Sequence, residues 1–156
     1  MQAADRTLMT DHVVTHNADA TFEFGKEFSS KLRRSDVVAL YGNLGSGKTQ
    51  FAKGVCVGLG VRHHVMSPSF TILKEYTEGK YPVYHFDFYR LRSLSELTEI
   101  GFEEYLFGDG VCLLEWANVV ASALPSSRYD ITIEPGEDRN ERIIHVDKIG
   151  SGDISD

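Results

Sequence analysis

The stretch that decides the fold is DVVALYGNLGSGKT, residues 36–49, followed directly by QFAKGVCVGL, residues 50–59. Val37, Val38, Ala39 and Leu40 form the short apolar run of a strand covered on both faces. Gly42 through Thr49 then match G-x-x-x-x-G-K-[ST], and the strand before and helix after are the context this pattern requires. Glycines at these positions let the backbone curl so that successive N–H groups and a helix N-terminus face a polyphosphate. Lys48 reaches the β and γ phosphates in such a loop, and the Thr49 hydroxyl is offered to magnesium. The candidate nucleotide contacts in this segment are Asn43, Leu44, Gly45, Ser46, Gly47, Lys48, Thr49 and Gln50.

Working outward, Phe51, Ala52, Val55, Cys56 and Leu59 share one helical stripe after the loop, although Gly54 and Gly58 each lower helix propensity. Upstream, Ala20, Phe24, Phe28 and Leu32 fall four apart on another helical face, with Asn17 as N-cap and Asp19 in the first turn. Downstream, SPSFTILKEY (67–76) and YPVYHFDFY (81–89) read as extended segments joined by the turn TEGK, a hairpin or a pair of neighbouring strands. In SLSELTEIGFEEYLF (93–107), Ser93 and Glu96 have capping-box spacing, and the helix they open is expected to break near Gly101. VCLLEW (111–116) reads as a strand, and NVVASAL as a short helix stopped by Pro125. DITIEP and RIIHVDKI are alternating strands joined by GEDRNE. Alternating helices and strands with buried central runs predict an α/β fold covered on both faces: a P-loop NTPase-like three-layer sandwich with a mostly parallel central sheet and antiparallel additions.

A phosphate loop of this kind needs a carboxylate at the end of a neighbouring strand to orient magnesium and its waters. Two residues qualify. Asp87 closes the run Val83, Tyr84, His85, Phe86, and Glu115 closes Val111, Cys112, Leu113, Leu114. An ionised carboxylate at the tip of so apolar a run needs a partner. The longer apolar run, which no histidine interrupts, makes Glu115 the central-strand carboxylate, paired with magnesium through water beside Thr49, and leaves Asp87 to position the attacking water or the metal shell. A plain salt bridge or helix cap at a strand end is the structural alternative for each. Ser67, Ser69 and Thr71 stand where a switch sensing the γ phosphate would sit, although ordinary turn hydroxyls around Pro68 explain them as well. His63 and His64 read as loop residues. No histidine has ligand spacing with Cys56 or Cys112, so no zinc site is expected. The Phe22, Phe24, Phe28 stripe reads as core, and Trp116 reads as core or as a ring packed over a nucleotide or a partner. The Asn-Lys-x-Asp pattern that reads guanine is absent, which favours adenine.

Composition bounds the function. The chain has 156 residues, enough for one domain with one core, expected over residues 1–149 with a flexible tail at 150–156. Its formal charge of −7 disfavours a protein that grips nucleic acid through its own basic surface. No apolar run approaches the roughly 20 residues of a membrane span. The N-terminal stretch does not resemble a secretory signal, and two cysteines in apolar company suit a reducing cytoplasm.

GNLGSGKT, SPSFTIL, HFDFYRL and LLEW, in this order and spacing, resemble the TsaE (YjeE) family, bacterial P-loop ATPases of tRNA threonylcarbamoyladenosine synthesis. The similarity runs from about Ala18 to about Ile149. GNLGSGKT is shared by many NTPases, whereas SPSFT followed by FDFYRL and EW is far more particular. The resemblance implies ATP binding and slow, magnesium-dependent hydrolysis in support of the complex that modifies the adenosine beside the anticodon. It also implies TsaB and TsaD as partners, with tRNA met only through them and the carbamoyl group transferred elsewhere. Carried over by motif, Lys48, Asp87 and Glu115 are the catalytic residues, and Thr49 and Glu115 the metal-linked ones. Asn17, Asp19, Thr21 and Arg139 would lie around the base. A small-molecule or nucleoside kinase using the same loop, with Asp87 as base, is the competing expectation.

Overall fold

The computed structural model describes residues 6–8, 12–43, 45, 47–62, 65–66, 68 and 71–150. Leu44, Ser46, His63, His64, Ser67, Ser69 and the tail from Ser151 onward lie outside the described residues.

Alternating apolar residues along β3 (Val37–Tyr41) divide the core in two. Val38 and Leu40 point into one cluster with Phe28, Phe51, Val55 and Leu113, while Val37 and Ala39 point into another with Phe86, Phe102, Leu106 and Leu114. Helices α1 (Ala18–Phe28) and α2 (Lys48–Gly58) cover the first face. Helices α3 (Ser95–Ile100) and α4 (Phe102–Leu106), with a 3₁₀ segment at Ala117–Ala123, cover the second. Period-two side chains on a sheet buried from both sides therefore make the three-layer arrangement.

The remaining strands are β1 (Arg6–Leu8), β2 (Val13–Thr15), β4 (Leu73–Tyr76), β5 (Val83–Asp87), β6 (Val111–Glu115), β7 (Arg128–Pro135) and β8 (Arg142–Ile149). All eight described strands join one sheet in the order β1-β2-β8-β7-β3-β6-β5-β4. Its centre, β7-β3-β6-β5, is parallel, and both flanks are antiparallel. β3 and β6 lie side by side, with Leu40 opposite Glu115, and β5 brings Asp87 opposite Glu115 from the other side. The motif loop and both candidate carboxylates thus share the C-terminal edge of the parallel strands, where open α/β sheets bind ligands.

Helix α1 starts where its cap predicts: Asn17 is extended (φ −160, ψ 170) and its side chain accepts from the Ala20 N–H at 2.8 Å. The glycines that weaken α2 have a tertiary reason. A Cβ on Gly54 would land on the Phe22 carbonyl oxygen, one on Gly58 on the Ser29 hydroxyl, and one on Gly25 of α1 on the Phe51 carbonyl oxygen. Close backbone contact between α1 and α2 outweighs the propensity cost.

Glu96 Oε1 accepts from the backbone N–H groups of Arg92 (2.7 Å) and Ser93 (3.4 Å), and Gly101, at φ 74, separates α3 from α4 as expected. The NVVASAL helix is 3₁₀, not α. Ala117 and Val120 are its buried residues, three apart, and a three-residue turn stacks that spacing on one face. The antiparallel hairpins β4–β5 and β7–β8 form as expected.

Candidate functional site

The loop between β3 and α2 depends on its glycines. Gly42, Gly45 and Gly47 have φ of 152, 78 and 107, conformations that L side chains rarely adopt. Gly47 caps α2, at the end where the first-turn N–H groups have no acceptor within the helix. Lys48 and Thr49, the first residues of α2, are placed by this turn.

Lys48 is only 5% exposed. Its ammonium donates to the Gly42 carbonyl and, over 3.3 Å, to that of Asn43, and it lies 4.0 Å from the centre of the Trp116 ring. Burial lowers its pKa, while the charges of Glu115 and Asp87 act in the opposite direction. The carbonyls occupy the donors that phosphate oxygens would take, and the indole face adds a cation–π contact.

The Thr49 hydroxyl donates to Oε1 of Glu115 over 3.2 Å, and His85 Nε2 lies 2.6 Å from Oε2 of the same carboxylate. Glu115 is 2% exposed and His85 fully buried. This answers why so apolar a strand tolerates a terminal carboxylate: each oxygen has a hydrogen-bond partner. Asp87, also buried, accepts at Oδ1 from the Tyr89 N–H at 3.0 Å. The Tyr89 and Trp116 rings lie 4.9 Å apart beside it.

Lys48, Thr49, Asp87, Tyr89, Glu115 and Trp116 line a cleft of about 410 Å³, within the usual range for small-molecule sites, and His85 lies buried behind it. Asn43, Gly45, Gly47, Lys48, Thr49 and Gln50 contribute from the loop and α2, and Asp87 and Glu115 from the strand ends. Thr21 and Ala18 come from the start of α1. Thr21 is buried and shares a hydrogen bond of 2.7 Å with the Thr15 hydroxyl. Asn17 is engaged as a helix cap and Asp19 is exposed on the first turn of α1; neither lines the cleft. Arg139 lies on the exposed tip of the β7–β8 hairpin, also outside the lining.

Arg142 and Asn140 line the cleft from that hairpin. The Arg142 guanidinium donates to the Gly45 carbonyl at 2.9 Å and to those of Arg139 (2.9 Å) and Glu141 (2.7 Å). Arg142 opens β8 opposite Pro135, and only the register of that hairpin sets it beside the loop. The pairing of His85 with Glu115 depends on how β5 and β6 align, which no local pattern shows. Thr49 and Glu115 offer a hydroxyl and a carboxylate to a hard cation, and magnesium characteristically takes one or two such protein ligands alongside phosphate and water.

Comparison with known proteins places this geometry in context. A sequence model described as "Threonylcarbamoyl adenosine biosynthesis protein TsaE" matches residues 15–144. The chain is 42% identical over 137 residues to the tRNA threonylcarbamoyladenosine biosynthesis protein TsaE of Bacillus subtilis, covering 88% of this chain and 85% of that protein. It is 40% identical over 130 residues to the protein of the same name from Treponema pallidum, covering 83% and 96%. The crystal structure of YdiB from Bacillus subtilis superposes with a TM-score of 0.77 at 38% identity, covering 92% of this chain and 90% of that one.

Proposed function

The chain belongs to the TsaE family of threonylcarbamoyl adenosine biosynthesis proteins, and on that premise we propose that it is a magnesium-dependent ATPase of tRNA modification. It binds ATP in the cleft between the β3–α2 loop and the β7–β8 hairpin and hydrolyses it slowly. It works in the cytoplasm with TsaB and TsaD, and supports transfer of the threonylcarbamoyl group to the adenosine beside the anticodon without carrying out that transfer. tRNA is met through those partners, in keeping with the formal charge of −7.

The observation that carries this proposal is the convergence of Lys48, Thr49 and Glu115: a buried ammonium resting on loop carbonyls, beside a hydroxyl hydrogen-bonded to a buried carboxylate. Phosphate oxygens take the place of the Gly42 and Asn43 carbonyls on Lys48, and its charge stabilises the negative charge that develops on them. Loop N–H groups and the start of α2 supply further donors. Thr49 and Glu115 would hold magnesium, directly or through water, and the ion would supply positive charge to offset that of the phosphates. Asp87, across from Glu115 on the neighbouring strand, orients the attacking water. Tyr89 and Trp116 wall the cleft on that side and limit access of bulk solvent.

The test is ATP hydrolysis by the purified protein alone, and then with TsaB, TsaD and tRNA from the same source. Slow hydrolysis stimulated by the partners is expected. Stoichiometric consumption of ATP with a hydroxyl acceptor, without any partner, would establish a kinase instead.

A further inference from the structure

The two ring nitrogens of His85 have unequal surroundings. Nε2 lies 2.6 Å from Oε2 of Glu115, whereas Nδ1 has no hydrogen-bond partner among the described residues. The ring is 0% exposed. An unpartnered polar atom at that depth costs stability, and the face of β5 that carries His85 also carries Val83, in the apolar cluster under α2. An aliphatic side chain would pack there without that cost. Holding Glu115 is what distinguishes the imidazole.

Strand geometry makes the contact specific. His85 and Asp87 are two apart on one face of β5, and β5 runs parallel to β6 with His85 opposite Leu113 and Asp87 opposite Glu115. The ring therefore reaches along the sheet to the carboxylate one pleat further on. A carboxylate oxygen accepts, so Nε2 carries the hydrogen. With Oε2 taken by the ring, Oε1 is the oxygen that meets the Thr49 hydroxyl at 3.2 Å. The carboxylate is fixed at both oxygens, from β5 and from α2.

We propose that His85 is a positioning residue of the nucleotide site, holding Glu115 so that its other oxygen faces Thr49 and the magnesium ion that accompanies the phosphates. This inference rests on the nucleotide-binding function proposed above. It assigns His85 no contact with the nucleotide. Its loss acts on the metal dependence of binding and leaves metal-free phosphate binding by Lys48 and the loop in place.

Trp116 is the chain's one tryptophan and lines the cleft, so its fluorescence reports occupancy. The experiment titrates β,γ-imido-ATP into wild type, His85→Gln, His85→Asn and His85→Phe, without magnesium and across a magnesium chloride series, and records a thermal melt of each. Glutamine places an amide N–H close to the position of Nε2, asparagine stops short of it, and phenylalanine keeps the ring without a donor. The expected result for His85→Phe and His85→Asn is an increase of about tenfold in the magnesium concentration giving half-maximal binding, with metal-free affinity within about twofold of wild type, as one lost hydrogen bond to a charged group would produce. His85→Gln should recover most of that shift. If His85→Phe does not fold, the Asn and Gln pair decides the matter. Folded variants whose melting temperature falls while half-saturation by magnesium stays put would overturn the proposal, as would Asn and Gln variants with equal shifts. Wild type without magnesium-dependent nucleotide binding would overturn the ATPase function and this inference together; wild-type binding with unmoved variants overturns this inference alone.

Discussion

The hydroxyl of Thr49 and the carboxylate of Glu115 are joined at 3.2 Å across the gap between the first turn of α2 and the end of β6. A side chain that begins a helix and one that ends a strand 66 residues later meet because β3 and β6 pair with Leu40 opposite Glu115. This contact couples the phosphate loop to the carboxylate, and each partner can be removed separately. Thr49→Val keeps the shape and deletes the hydroxyl. It should raise the magnesium requirement of nucleotide binding about tenfold, a charge-assisted hydrogen bond's worth, while metal-free affinity changes little. Titration of a non-hydrolysable ATP analogue with and without magnesium measures both quantities. An equal loss in the two conditions would place Thr49 in the loop's architecture and not at the metal.

Lys48 should behave in the opposite way. Its ammonium rests on the Gly42 and Asn43 carbonyls, so Lys48→Ala removes the charge proposed to bind phosphate. Triphosphate affinity is expected to fall about 10- to 100-fold, the range for hydrogen bonds to charged groups, whether or not magnesium is present. Calorimetric titration with ATP and ADP tests this. Unchanged affinity would remove the phosphate site as the basis of the function proposed here.

Arg142 and Arg139 can be separated on the same hairpin. Arg142 donates to the Gly45 carbonyl and lines the cleft, whereas Arg139 presents its backbone carbonyl to Arg142 and its side chain lies outside the lining. Arg142→Ala is expected to weaken ATP binding about tenfold, and Arg139→Ala by less than about twofold, in line with the worth of one charge-assisted contact against none. The reverse order would show that the hairpin tip folds over the base when nucleotide binds.

The contrast between these two arginines shows what the sequence could disclose. The loop, its flanking elements and the two strand-end carboxylates were legible because local pattern fixes them: β3 and α2 are continuous with the motif, and Asp87 and Glu115 each close an apolar run. His85 and Arg142 take their places through pairing between strands, which depends on register and not on local composition. β2, with three residues, is too short to carry a periodic signal. Gly54 looked like a weakness in α2 because propensity is a local quantity and the contact with α1 is not.

That contact predicts a substitution with the opposite sign to its helix propensity. On an exposed helix, Gly→Ala stabilises by up to about 1 kcal/mol. At Gly54 the added methyl meets the Phe22 carbonyl oxygen and the Phe22 carbonyl carbon, both backbone atoms of α1 that a rotamer change cannot move. Gly54→Ala should therefore destabilise the fold by about 1–3 kcal/mol, the cost of overpacking. Urea unfolding followed by far-UV circular dichroism measures it, and a stabilised variant would show that α1 and α2 are less tightly apposed.

The two cysteines predict how stability depends on alkaline pH. Cys56 and Cys112 are buried on opposite faces of the sheet, and burial pushes each thiol up to about 12 from an ordinary 9.0. For Cys56 the charge of Glu115 adds to that rise. Because the folded protein holds these protons more tightly than the unfolded chain, their contribution is fully present below about pH 9 and is lost as pH rises toward 12. Each thiol steepens the decline by about 1.4 kcal/mol per pH unit in that window. Cys56→Ala and Cys112→Ala together should lower stability at pH 7.5 through lost packing, yet flatten its fall between pH 9 and 10.5 by about twice that slope. Urea midpoints for wild type and the double variant, measured under reductant from pH 7.5 to 10.5, test the prediction. Parallel curves would mean that the thiols ionise in the folded protein as readily as in the unfolded chain, and that the packing around them admits water.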